Sequence, residues 1–124
     1  MTFLGPQNAY LKTQQREESE LGDAHSLITI TLSELQRSLA VLNQPEKPLP
    51  GARSKHLTRC FTAIYILQDS LDFDRGGDIA LNLFRVYEYC RLQLLAYNRG
   101  EDDASIDTAY NAITDILDAW KAIA

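Results

Sequence analysis

Ser70-Leu-Asp-Phe-Asp-Arg-Gly-Gly-Asp-Ile-Ala80 is the stretch on which the reading of this chain turns. A helical apolar pattern reaches Gln68 and Leu71, then stops at Asp72-Phe73-Asp74-Arg75. Gly76-Gly77 supplies the backbone freedom of a sharp reversal. Asp78 then stands in the first turn of the next helix, where a carboxylate interacts favourably with unpaired backbone N–H groups and the helix dipole. Asp72, Phe73, Gly76, Gly77 and Asp78 are therefore predicted to form a helix-to-helix turn.

Outward from this junction the apolar residues keep helical spacing. Upstream, Ser54 can cap a helix whose face is Leu57, Phe61, Ile64, Leu67 and Leu71. Before it, Asn43 to Ala52 carries Pro45, Pro48, Pro50 and Gly51 and reads as a loop. Asp23 is a plausible N-cap for an earlier helix with Ile28, Leu32, Leu35, Leu39 and Leu42 on one side. Downstream, Ile79, Leu83, Val86, Cys90, Leu94 and Tyr97 form an inner stripe that ends at Asn98-Arg99-Gly100, with Gly at the usual position past a helix terminus. Asp102 or Asp103 opens a last helix with Ile106, Tyr110, Ile113, Leu117 and Trp120 as its seam. The expected fold is all-α: an antiparallel up-down four-helix bundle over residues 23–124, forming a single domain. Residues 1–22, rich in Gln and Glu, are expected to be a mobile N-terminal arm or a short extra helix.

Composition narrows the function classes. With 124 residues, 45% hydrophobic, 23% charged and a net charge of −5, the chain has the make-up of an ordinary globular domain. It has neither a leader-like start nor an apolar run of the roughly 18 residues a membrane helix requires, so a cytoplasmic location without membrane insertion is expected. Residues 63–124 carry five basic and eleven acidic side chains, against seven and six in residues 1–62. That balance argues against nucleic-acid binding, since the only basic cluster, Arg53, Lys55, His56 and Arg59, reads as a solvated helix start. Cys60 and Cys90 fall on apolar faces without metal or redox spacing and read as reduced core residues.

No catalytic constellation stands out. The two histidines, His25 and His56, lack the Glu-x-x-His spacing of bundle metal sites, and there is neither a His-Glu-x-x-His nor a Gly-x-Ser-x-Gly. The clustered carboxylates sit at predicted helix ends, where capping explains them. No enzyme, cofactor or metal is expected. One alternative is a histidine phosphotransfer bundle using His56, although Cys60 and Phe61 one turn on would crowd a phosphoryl donor. What a plain bundle leaves over is apolar surface: Leu81, Phe84, Leu92 and Leu95 form a second stripe interrupted by Glu88, and Leu27, Ile30 and Val41 lie beside another seam. These either face two bundle neighbours each or line grooves able to take an amphipathic helix.

The junction, together with Asn82-Leu83, Tyr87-Glu88-Tyr89, Arg91-Leu92, Ala96-Tyr97-Asn98 and Leu117-Asp118-Ala119-Trp120, resembles the FliS family of flagellar export chaperones. Ala9-Tyr10 resembles that family's N-terminal Ala-Tyr. Leu27-Ile-Thr-Ile-Thr-Leu-Ser-Glu34 replaces its Leu-Tyr-acid-Gly signature, and Gln44 to Gly51 replaces a shorter charged loop, so the resemblance is to a divergent member. It implies a cytoplasmic type III secretion chaperone that binds the disordered C-terminal segment of flagellin, prevents premature polymerisation and hands its client to the export gate. It also implies that Tyr10 and the arm cover a groove until the client arrives. Leu81, Phe84, Leu92 and Leu95 are then the candidate client contact. A scaffold bundle with a client other than flagellin is the remaining reading.

Overall fold

The computed structural model describes the backbone of residues 6–123 and the side chains of residues 22–123. It has four helices, α1 (Pro6–Leu42), α2 (Pro50–Asp69), α3 (Phe73–Asn98) and α4 (Ile106–Ala122), and no strand among the described residues. α1 packs on α2 and α4, and α3 packs on the same two, so helices adjacent in sequence are adjacent in space and α4 closes the square against α1. This is the antiparallel four-helix bundle that short connections dictate.

The core is a seam of residues spaced three and four apart. Leu32, Leu35, Leu39 and Leu42 of α1 meet Leu57, Cys60, Ile64 and Leu67 of α2, Cys90 and Leu94 of α3, and Ile113 and Leu117 of α4, all buried. Polar pins fix the register. Ser38, buried in α1, places its Oγ 3.1 Å from His56 Nδ1 of α2. Gln36 donates to Thr114 of α4 at 3.0 Å, and Gln68 of α2 donates to Glu88 of α3 at 3.2 Å. Where α1 passes the end of α4, His25 and Trp120 stack with ring centroids 4.4 Å apart and planes 11° from parallel. Trp120 Nε1 donates to the His25 carbonyl at 3.1 Å, and His25 Nε2 lies 3.3 Å from the Trp120 carbonyl.

Several boundaries differ from the sequence reading. Asp23 is not an N-cap: α1 runs through it from Pro6, the preceding Gln and Glu residues being good helix formers that extend the helix without a new start. Tyr10 lies outside the residues whose side chains are described. α2 begins at Pro50, where the missing N–H is no loss, so the expected loop ends earlier and Ser54 is an interior residue. α4 starts at Ile106 behind Ser105, whose amide donates to Gln93 Oε1 at 2.7 Å, so neither Asp102 nor Asp103 opens it.

The junction turns in two steps. α2 closes at Ser70, and Asp72 caps α3, its Oδ1 accepting from the amides of Asp74 and Arg75 at 3.1 Å each. One helical turn later Gly77 breaks the helix with φ 50° and ψ −125°, and α3 resumes at Asp78. The two glycines have different reasons. Gly77 takes a backbone conformation that side-chain-bearing residues avoid, while a Cβ on Gly76 would stand 2.8 Å from the Ala80 Cβ. Beyond the kink Ala80 and Tyr87 are buried, and Ile79, expected on the inner stripe, is 72% exposed, with the adjacent Ala80 turned inward instead. Gly77→Ala is expected to lower stability by about 1–3 kcal/mol, the cost of a strained backbone residue, read as a shift of the urea midpoint.

Candidate functional site

α2 and α3 run antiparallel, and the Gln68–Glu88 hydrogen bond sets which residues stand level across their groove. At one end Phe73 and Phe84 meet edge-on, centroids 6.0 Å apart. About one turn from this bond on each helix, Tyr65 of α2 is 71% exposed and Leu92 of α3 is 49% exposed. Beyond them come half-buried Phe61 and Leu95. The far end opens into a cavity of about 320 Å³ lined by Pro50, Arg53, Ser54, Leu57, Phe61 and Asn98. From Phe84 to Asn98 the groove spans about 21 Å at 1.5 Å per residue, the length of a four-turn helix.

The four residues of the second stripe lie outside the buried core of α3. Leu81 and Leu92 are exposed; Phe84 and Leu95 are half-buried, yet neither packs against the buried core cluster. Tyr65, Phe73 and Phe61 extend the same apolar surface. The sequence reading placed Phe61 on an inner face and Phe73 in the turn, and gave Tyr65 no role. A helical wheel of α2 could have flagged Tyr65, which falls about 100° from Ile64 and so off the core face.

Midway along the groove sits a polar cluster. Arg91 grips Glu88 in a bidentate pair, Nε at 2.8 Å and Nη2 at 2.5 Å, while Gln68 donates to the same carboxylate. The Arg91 hydrogen bond holds the Glu88 carboxyl down at about 2 against the opposing effect of burial, with Gln68 adding to the shift. Because the folded value lies below the unfolded one, Glu88 contributes stability above the usual carboxylate range, and that contribution is lost as pH falls toward 2. Both side chains are a third or more exposed, so the loss is small, about 0.5–1 kcal/mol. Glu88→Gln is expected to destabilise by that amount at pH 7 and to match the parent protein near pH 2, as compared by urea denaturation at both values.

His56 is not the solvent-facing residue expected of a helix start. It is half-buried against Ser38, and desolvation, then the charges of Arg59 and Lys55, lower its pKa. Burial pushes the thiols of Cys60 and Cys90 up to about 12. Among the described residues, no three His, Cys, Asp or Glu side chains gather as a metal site, and no helix is long and apolar enough to cross a membrane.

An exposed apolar groove on a small helical bundle fits the family suggested by the junction motifs, and comparison with known proteins decides the point. The family model described as Flagellar protein FliS matches residues 6–124. The chain belongs to the FliS family. It is 26% identical over 123 residues to the flagellar secretion chaperone FliS of Vibrio cholerae serotype O1, covering 96% of this chain and 88% of that one. Its identity to flagellar secretion chaperone FliSB of Pseudomonas aeruginosa is 27% over 112 residues, covering 86% of each. A shorter match, 37% over 57 residues, joins 46% of this chain to 42% of the flagellar secretion chaperone FliS of Salmonella typhimurium. No solved structure matches. The FliS-like closing Trp120 is the residue that clasps α4 to α1.

Proposed function

We propose that this protein is a cytoplasmic flagellar export chaperone that holds the disordered C-terminal segment of flagellin in the α2/α3 groove, prevents its premature polymerisation and presents it for export. The observation that carries the reading is the second apolar stripe of α3, with Leu81 and Leu92 exposed and Phe84 and Leu95 half-buried, in a chain of the FliS family. A segment that folds only on binding surrenders about 2–5 kcal/mol to ordering, so it needs a long apolar contact rather than a few hydrogen bonds. A four-turn groove bounded by Phe73 and Phe61 offers one. The role requires no catalytic group, and the family is one of chaperones. Tyr10, on the N-terminal part of α1, is the proposed cover of the groove in the free protein, and the export gate is the proposed receiver.

The test is calorimetric titration with the C-terminal segment of flagellin from the same cells. One segment per chain, with a gain of helix by circular dichroism, supports the reading. Absence of both binding and co-purification defeats it and leaves a scaffold bundle with another protein client. Acid-labile phosphate on His56 after incubation with a phosphorylated receiver domain would favour the phosphotransfer alternative instead.

A further inference from the structure

A second groove, on the other side of α2, has a different chemistry. It lies between α1 and α2, encloses about 260 Å³, and is walled by Ile30 and Ile66 over a floor of Thr31, Thr62 and Ala63. Ile30 is 59% exposed, and Leu27, one turn before it, is exposed too. Arg59 of α2 lines the groove, Lys55 stands one turn before it, and Arg37 and Lys55 are the residues next to the Ser38–His56 pin in their helices. Among the described residues, neither Lys55 nor Arg59 has a carboxylate within 4 Å; Arg37 reaches only Glu34, at 3.7 Å, and Glu34 is the one acid lining the groove. The groove is thus apolar at one end and cationic at the other.

We infer that the α1/α2 groove is a second protein-docking site, for an amphipathic helix with an aliphatic face and carboxylates one to two turns beyond it. Aliphatic side chains of such a helix would cover Ile30 and Ile66, and its carboxylates would pair with Arg59 and Lys55, which stand one turn apart and project together. A free phosphate or a nucleic acid would satisfy the cations but leave the aliphatic end in water. The proposal stands apart from the α2/α3 groove, because it uses the opposite flank of α2 and cations without a carboxylate partner, whereas Arg91 is paired with Glu88.

The experiment uses the full chain and two fluorescein-labelled designed helices of about 14 residues, enough for four turns. Both carry Leu at positions 2, 5 and 9; one has Glu at 12 and 13, the other Lys. Anisotropy titration should show saturable binding of the Glu peptide, weakened by salt, with the Lys peptide at least about tenfold weaker. Ile30→Asp, at an exposed position, should weaken the Glu peptide by about tenfold, and Arg59→Glu should reverse the preference. Leu92→Asp should leave both affinities unchanged. Equal binding of the two peptides, no saturable binding, indifference to Arg59→Glu, or loss of binding in Leu92→Asp would each overturn the proposal. So would sedimentation that finds a dimer dissolved by Ile30→Asp, which would make the occupant a second copy of the chain.

Discussion

Leu92→Asp is expected to weaken binding of the flagellin C-terminal segment by about a hundredfold, some 3 kcal/mol, while leaving the urea midpoint almost unmoved. About half of the Leu92 surface is free in the isolated protein, so burying it contributes roughly 1–1.5 kcal/mol to the complex. An aspartate there forfeits that contribution and also places a charge against an apolar partner, which adds a penalty of similar or larger size. Phe84→Asp should act in the same direction on binding but cost about 1 kcal/mol of stability as well, because it loses the edge contact with Phe73. Asp115→Lys, a charge reversal at an exposed position of α4, is the control and should change neither. Unchanged binding in Leu92→Asp would remove the α2/α3 groove from the chaperone reading. A melted Leu92→Asp protein would mean that this surface carries the fold.

Trp120→Ala is expected to cost about 3 kcal/mol of stability, toward the lower end of the range for truncating a large aromatic residue because Trp120 is only half-buried. The substitution removes its packing on the core, the stack on His25 and the hydrogen bond that ties α4 back to α1. That tie closes the square, since α1 and α4 are the first and last helices and no loop joins them. Circular dichroism in urea measures the loss. As the chain's one tryptophan, Trp120 also reports on the clasp directly, and His25→Ala should shift its emission while costing less stability. A Trp120→Ala protein as stable as its parent would show that the α1–α4 contact is held by Gln36–Thr114 and the leucine seam alone.

The seams of α1, α2 and α4 were legible because their leucines and isoleucines recur at three and four residues without interruption. α3 was legible only in part: the stripe counted from Ile79 passed over Tyr87, which is buried, and kept Ile79, which is exposed while its small neighbour Ala80 is the buried residue of that turn. The start of α1 was hidden for the opposite reason. Asp23 has the chemistry of a cap, but a cap acts only where the preceding residues refuse the helix, and Gln and Glu do not. The candidate stripe of α3 was visible as apolar residues offset from its core face, whereas the exposed Tyr65 of α2 needed the register between the helices. The polar pins Ser38–His56 and His25–Trp120 join residues far apart in sequence, and periodicity carries no signal for such pairs.

The two cysteines make the bundle its own clock for opening. Cys60 and Cys90 are fully buried on facing helices and their thiols are held protonated, so a thiol reagent cannot react until α2 and α3 part. Alkylation of each sulfur, followed by mass spectrometry in the absence of denaturant, therefore times the separation of these helices residue by residue. A client seated in the α2/α3 groove should slow labelling of both thiols together, by the factor with which its concentration exceeds its dissociation constant, without touching either one.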